Sequence, residues 1–157
     1  MGEMCHFVDL ANHLVGRPPR TVFARAAGPA SRVLSAQTLA ATLGYADGSI
    51  CSLVYLAVGD TAVPTERIEV FRGEASAFID DFVRARLWRG RKSKKLRSRG
   101  RDKGHRRELH AFLGALRSGG AMPIPLDEID ASSRATFALL ESLRTGRPVD
   151  LGRGGEA

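Results

Sequence analysis

The chain has 157 residues, 43% of them hydrophobic and 26% charged, which is the size and balance of one soluble globular domain and excludes a disordered or fibrous polymer. No apolar run approaches the roughly 18 to 20 residues that a membrane-spanning helix needs, so no membrane role is expected. The net charge of +7 raises nucleic acid as a partner class, but 13 of the 24 Lys and Arg fall between Arg84 and Arg107, so the basic character belongs to one segment.

Taken from the start, the chain has no basic stretch leading into an apolar one, so no secretory leader is read, and His6 stands where a myristoylation motif wants Ser or Thr. Phe7, Leu10, Ala11 and Leu14 recur at helical spacing and predict a first helix over residues 3 to 15, stopped by Gly16 and the two prolines after Arg17. The period then changes to that of strands at 20–27, 34–45 and 49–58, the last two joined by Ala46-Asp47-Gly48, a hairpin signal. A second hairpin is predicted from 67–72 and 76–82 around Gly73-Glu74, followed by a half-wet strand at 83–89. RGRKSKKLRSRGR, residues 89 to 101, reads as a solvated hairpin or loop. Helical period returns with Leu109, Phe112, Leu113 and Leu116, closed by Gly119-Gly120, and again from about Leu126 to Thr145, closed by Gly146 and Pro148. This order predicts an α+β fold, an open and mostly antiparallel sheet with helices packed on one face. The domain is expected over residues 1–150, with 151–157 a disordered tail. Cys5 and Cys51 make neither a metal spacing nor a disulfide framework, and a reducing cytoplasm is the expected location.

The chemistry-bearing residues concentrate in the first helix, where His6, Asp9 and His13 share a stripe. A histidine there could act as a general acid or base, the three could ligate a metal, or His6 could simply cap the helix start and His13 its wet end. The basic run lacks the interleaved aromatics of a nucleic-acid binder, since only Trp88 is near it in sequence, and nucleic acid is disfavoured. The segment Asp102-Lys103-Gly104-His105 opens a helix and could hold an anion there. No glycine-rich dinucleotide loop, nucleophile elbow or paired-cysteine metal site is present, so neither a cofactor nor a metal site is assigned to the chain.

Five segments in order, GEMCHFVDLANHLVG, YADGSICSLVYLAVGD, PTERIEVFRGEASAFIDDF, DKGHRRELHAFLGALRSGG and PIPLDEIDASSRATFALLESLRTGRPV, make the chain from Gly2 to about Asp150 resemble the C-terminal domain of the Gfo/Idh/MocA oxidoreductases. The resemblance implies a substrate-binding and oligomerisation unit whose open sheet face forms the oligomer interface. In the family a D-x-G-x-H-x-x-D motif carries a histidine that handles the substrate hydroxyl proton beside the nicotinamide. His6 matches that histidine, and Asp9 the carboxylate three residues later; Gly2 stands where the first aspartate belongs, with Glu3 one position off. His6 is accordingly assigned as catalytic, with Asp9, Glu3 and Lys103 binding substrate.

By the same resemblance, the NAD- or NADP-binding Rossmann domain and the Glu-Lys-Pro segment with the catalytic lysine would precede Met1. The chain is therefore expected to be a truncated or split dehydrogenase, binding no cofactor and inactive by itself, that needs a Rossmann partner and acts on a sugar- or cyclitol-like hydroxyl. The competing readings are a non-catalytic dimerisation module and, behind it, a basic nucleic-acid-binding protein.

Overall fold

A computed structural model describes residues 3–28 and 38–152. The elements in chain order are α1 (Met4–Val15), β1 (Thr21–Ala26), β2 (Thr38–Gly44), β3 (Ile50–Leu56), β4 (Arg67–Arg72), β5 (Ala75–Asp80), β6 (Arg84–Arg89), β7 (Lys92–Arg97), α2 (His105–Ser118), α3 (Leu126–Thr145) and β8 (Val149–Asp150). The fold is α+β; the described residues form three helices and two four-stranded sheets, each open and wholly antiparallel. Residues 34–37 of the expected second strand and 153–157 of the expected tail lie outside the described residues. Within that tail Leu151 is held, its N–H donating to the Arg20 carbonyl at 2.7 Å.

The chain separates into two compact units, one made of residues 1–58 and 124–157, the other of residues 59–123. In the first, the sheet order is β3-β2-β1-β8. Alternation along β1 and β2 sends Val22, Ala24, Leu39, Ala41 and Leu43 to one buried face. There they meet Met4, Val8 and Ala11 of α1 and Ala135, Ala138, Leu139 and Leu143 of α3. Alanines at 135 and 138 keep the α3 surface low, which lets its backbone lie close over β1. Gly44 is required for a similar reason: a Cβ there would stand 2.6 Å from Thr21 Oγ1 on the paired strand.

The first helix is turned from its sequence-based orientation. Its buried residues are Met4, Val8 and Ala11, with Val15 partly buried on the same stripe, while Leu14 of the expected stripe is 46% exposed. Contact with both β3 and α3 selects the Met4 stripe, and Phe7 flanks it, its ring 6.4 Å from that of Tyr55. The helix ends as expected, at Gly16 with φ 81°, a left-handed conformation that favours glycine.

In the second unit the strands run as a meander, β4-β5-β6-β7, with tight turns at Gly73-Glu74 and Gly90-Arg91. Of the two forms expected for the basic run it is the hairpin, with β7 zipped to β6 over six residue pairs and exposed throughout. The expected stripe of α2 forms but is not buried: Leu109, Phe112, Leu113 and Leu116 are all 46% exposed or more, and α2 has no buried residue.

One buried polar group ties the first unit together. Ser142 Oγ accepts the Ala24 N–H at 2.9 Å and donates to the Arg147 carbonyl at 2.7 Å. β8 reaches only as far as Thr21 and Val22, so this hydroxyl replaces the strand neighbour that Ala24 lacks on that side. Ser142→Ala is expected to lower unfolding stability by about 1–3 kcal/mol, the range for a buried donor left without an acceptor, read as a drop in urea midpoint at unchanged m-value.

Candidate functional site

Turning the Met4–Val8–Ala11 stripe inward places the remaining residues of α1. His6, Asp9 and His13 are exposed on the side away from the core. Glu3, also exposed, is the residue that precedes the helix, and its carbonyl accepts the His6 N–H at 3.1 Å. His6 is thus inside the first turn and does not cap it.

Asp9 is fixed by a chain of side-chain hydrogen bonds that the sequence reading missed. The Tyr45 hydroxyl donates to Asn12 Oδ1 at 3.1 Å, and Asn12 Nδ2 donates to Ser132 Oγ at 3.2 Å. Ser132 Oγ in turn donates to Asp9 Oδ1 at 2.8 Å. Every donor in the series points toward the carboxylate, which is the direction a charged acceptor imposes. Tyr45 and Ser132 are buried, at 5% and 7% exposure, whereas Asp9 is exposed, so the network runs from the core to the surface of α1. Its signal in the sequence is faint: Ser132 and Ser142 are polar residues on the same α3 stripe as Ala135 and Leu139.

The arrangement offers an exposed imidazole and, three residues on, an oriented carboxylate. An imidazole can take or return a proton near neutrality, and a fixed carboxylate can accept from a ligand hydroxyl. No side-chain hydrogen bond joins His6 to Asp9 or Glu3 among the described residues. Nor do those residues hold a group of three or more His, Cys, Asp or Glu able to bind a metal, so the metal alternative for His6, Asp9 and His13 is not assembled.

Lys103 belongs to the other unit, where its ammonium pairs with the Glu66 carboxylate. The segment beside it is satisfied from within. Gly104 N–H donates to Asp102 Oδ1 at 2.9 Å, and Arg107 donates to Asp102 Oδ2 at 2.8 Å. These two contacts hold the Asp102 carboxyl below its usual range, and Asp102 thereby fills the place where an outside anion was expected. An open groove of about 840 Å³ lies elsewhere in the first unit, lined by residues that include Pro19, Arg134, Phe137 and Val149 and by none of the four assigned site residues.

The fold decides more than the side chains do. A solved structure of an aldose-aldose oxidoreductase from Caulobacter crescentus, bound to glycerol, superposes on 94% of this chain with a TM-score of 0.76 at 17% identity. An oxidoreductase from Agrobacterium radiobacter in complex with NAD+, L-tartaric acid and magnesium matches 94% of the chain with a TM-score of 0.77 at 16% identity. A UDP-N-acetylglucosamine 3-dehydrogenase from Acidithiobacillus ferrooxidans matches 90% with a TM-score of 0.72 at 18% identity. The chain has their fold. These are Gfo/Idh/MocA-type oxidoreductases, as the resemblance implied, and the chain spans only 45%, 47% and 46% of their respective lengths. No family model matches the sequence, and no curated protein matches it. No helix among the described residues is long and apolar enough to cross a membrane.

Every strand pair among the described residues is antiparallel, so no strand–turn–helix crossover presents backbone amides to a pyrophosphate.

The network predicts a pH dependence. Burial, and secondarily Cys51 nearby, pushes the Tyr45 phenol well above its ordinary value, so the folded state keeps this proton when the unfolded chain has begun to lose it. The unfolded state then binds fewer protons, and stability should fall as pH rises through about 10. Tyr45→Phe should flatten that alkaline limb in urea titrations run from pH 8 upward; an unchanged limb would mean the phenol is not held neutral.

Proposed function

We propose that this chain is the substrate-binding and oligomerisation half of an NAD(P)-dependent oxidoreductase of Gfo/Idh/MocA type, corresponding to the C-terminal domain of such enzymes. The observation that carries the reading is the match of nine-tenths or more of this chain to less than half of each oxidoreductase structure. In this role His6 accepts the proton of a sugar- or polyol-like hydroxyl. Asp9, aimed by Ser132, accepts a hydrogen bond from a neighbouring hydroxyl and fixes the substrate's orientation. Glu3, at the start of the same helix, adds a second carboxylate within the first turn. Lys103 would serve substrate only by exchanging its Glu66 partner.

The hydride chemistry lies outside the described residues. A cofactor domain, joined to the chain or supplied by a separate protein, would complete the enzyme. By itself the chain would bind substrate without turning it over, and its two cysteines, which make no disulfide framework, fit a cytoplasmic location.

Titration of the labelled chain with a polyol such as myo-inositol, followed by NMR, tests the assignment. The largest shifts should fall on Glu3, His6 and Asp9 of α1, and Asp9→Asn should weaken binding by about tenfold, as loss of a charged hydrogen bond does. Shifts confined to residues 59–123 would sink the reading, and so would tight NADH binding by the chain alone.

A second reading, a non-catalytic module that pairs with its own kind, is favoured by the bare face of the first sheet. Ile50, Val54 and Leu56 on β3 are 74%, 69% and 63% exposed, all on the face opposite the helices. Light scattering should then give twice the 16.9 kDa of one chain, and Val54→Arg should return the monomer. A wild-type monomer at high concentration would leave the sheet face without that role.

A further inference from the structure

The β-meander of the second unit builds a surface that the sequence pattern hid. Pairing registers Phe71 with Ser76, Ser76 with Trp88 and Trp88 with Ser93, and sets Glu69, Phe78, Arg86 and Lys95 in the next row. Phe71, Phe78 and Trp88 therefore share one face of the sheet, though they are spread over 18 positions of the chain. Their rings touch in series, Phe71 to Phe78 at 5.7 Å and Phe78 to Trp88 at 4.8 Å between centroids, both edge to face. The Arg86 guanidinium lies 4.7 Å over the Trp88 ring. Phe71 closes the series at 68% exposure.

Beside this aromatic row the charge is one-sided. Three of the six β6–β7 pairs oppose like charges, Arg84 to Arg97, Arg86 to Lys95 and Arg89 to Lys92. Like charges directly opposite each other destabilise a ribbon. The carboxylates on and beside this face are already paired: Glu69 takes Arg67, Asp80 takes Arg84, Asp81 takes Arg101 and Glu66 takes Lys103. Among the described residues, Arg86, Lys95 and Arg97 on the face of Trp88 have no acidic partner, nor do Arg89, Lys92 and Lys94, which the register puts on the opposite face. Lysines on an edge strand also discourage sheet-to-sheet aggregation. That purpose needs no arginine on a tryptophan and no exposed phenylalanine beside it.

We propose that this face binds single-stranded nucleic acid, its phosphates on Arg86, Lys95 and Arg97 and its bases on Phe71 and Trp88. The activity is separate from the oxidoreductase reading and does not rest on it. A duplex would offer the same phosphates but keep its bases stacked inward, away from the rings. A row of aromatics edged by unneutralised cations fits a strand whose bases are free.

Trp88 is the chain's one tryptophan, so its fluorescence reports the site directly. Titrating the full chain with an unlabelled 15-mer of deoxythymidine should quench it. With about three phosphates engaged, log K should fall against log salt with a slope of about −2. Phe71→Ala, at an exposed position, should weaken binding about fivefold to a hundredfold with an unchanged circular dichroism spectrum. Lys95→Gln with Arg97→Gln should reduce the salt slope. Three results would overturn the proposal: no quenching at low salt, equal affinity for heparin with no effect of Phe71→Ala, or preference for anionic vesicles over the oligonucleotide.

Discussion

The first unit is closed by contacts between segments more than a hundred residues apart. Ser142 bonds to Ala24 across 118 positions, and Ser132 to Asp9 across 123. α3 supplies both hydroxyls from the stripe that also buries Ala135, Leu139 and Leu143. The sheet face cannot be dry without that helix, since α1 alone reaches it mainly at β3. Nor can α1 be oriented without it, because α3 flanks the Met4 stripe and holds the Asp9 carboxylate. The fold and the candidate site thus share one helix, and what stabilises the one positions the other.

Much of this was readable from residue order. Helix ends were legible because glycine at Gly16, Gly119 and Gly146 adopts a positive φ that few residues tolerate, and each of these closes a helix. The β2–β3 hairpin was legible because Asp47 and Gly48 have few other uses, and Asp47 Oδ1 accepts the Ser49 N–H as such turns do. Periodicity, by contrast, reports that a helix has an apolar side without saying what covers it. Leu14 and the whole stripe of α2 are apolar and exposed. For the basic run the choice between hairpin and loop stayed open because KSKKLR has no alternation; its partner β6 imposes the pairing. β8 is two residues long, too short for any period to register.

The candidate site divides along the same line. Local spacing brought out His6 and Asp9, which lie on one helix. It could not bring out Tyr45, Asn12 and Ser132, because their meeting depends on how β2 and α3 pack against α1. Lys103 shows the converse. Its sequence surroundings suggested a ligand, but Glu66, 37 positions earlier, already neutralises it. The aromatic row of the second unit went unread for the reason Ser132 did, since strand pairing assembled it.

The division of the chain also has a meaning in time. Residues 59–123 interrupt the first unit, so the strands of its N-terminal part leave the ribosome well before α3 does. At about 5–20 residues per second, the interval is roughly 3 to 13 seconds. Throughout it Val22, Leu39 and Leu43 have no C-terminal helix to cover them, while the local hairpins of the second unit can already form. The inserted meander is thereby a built-in delay, and the nascent chain passes through it with its largest apolar face open to whatever meets it first.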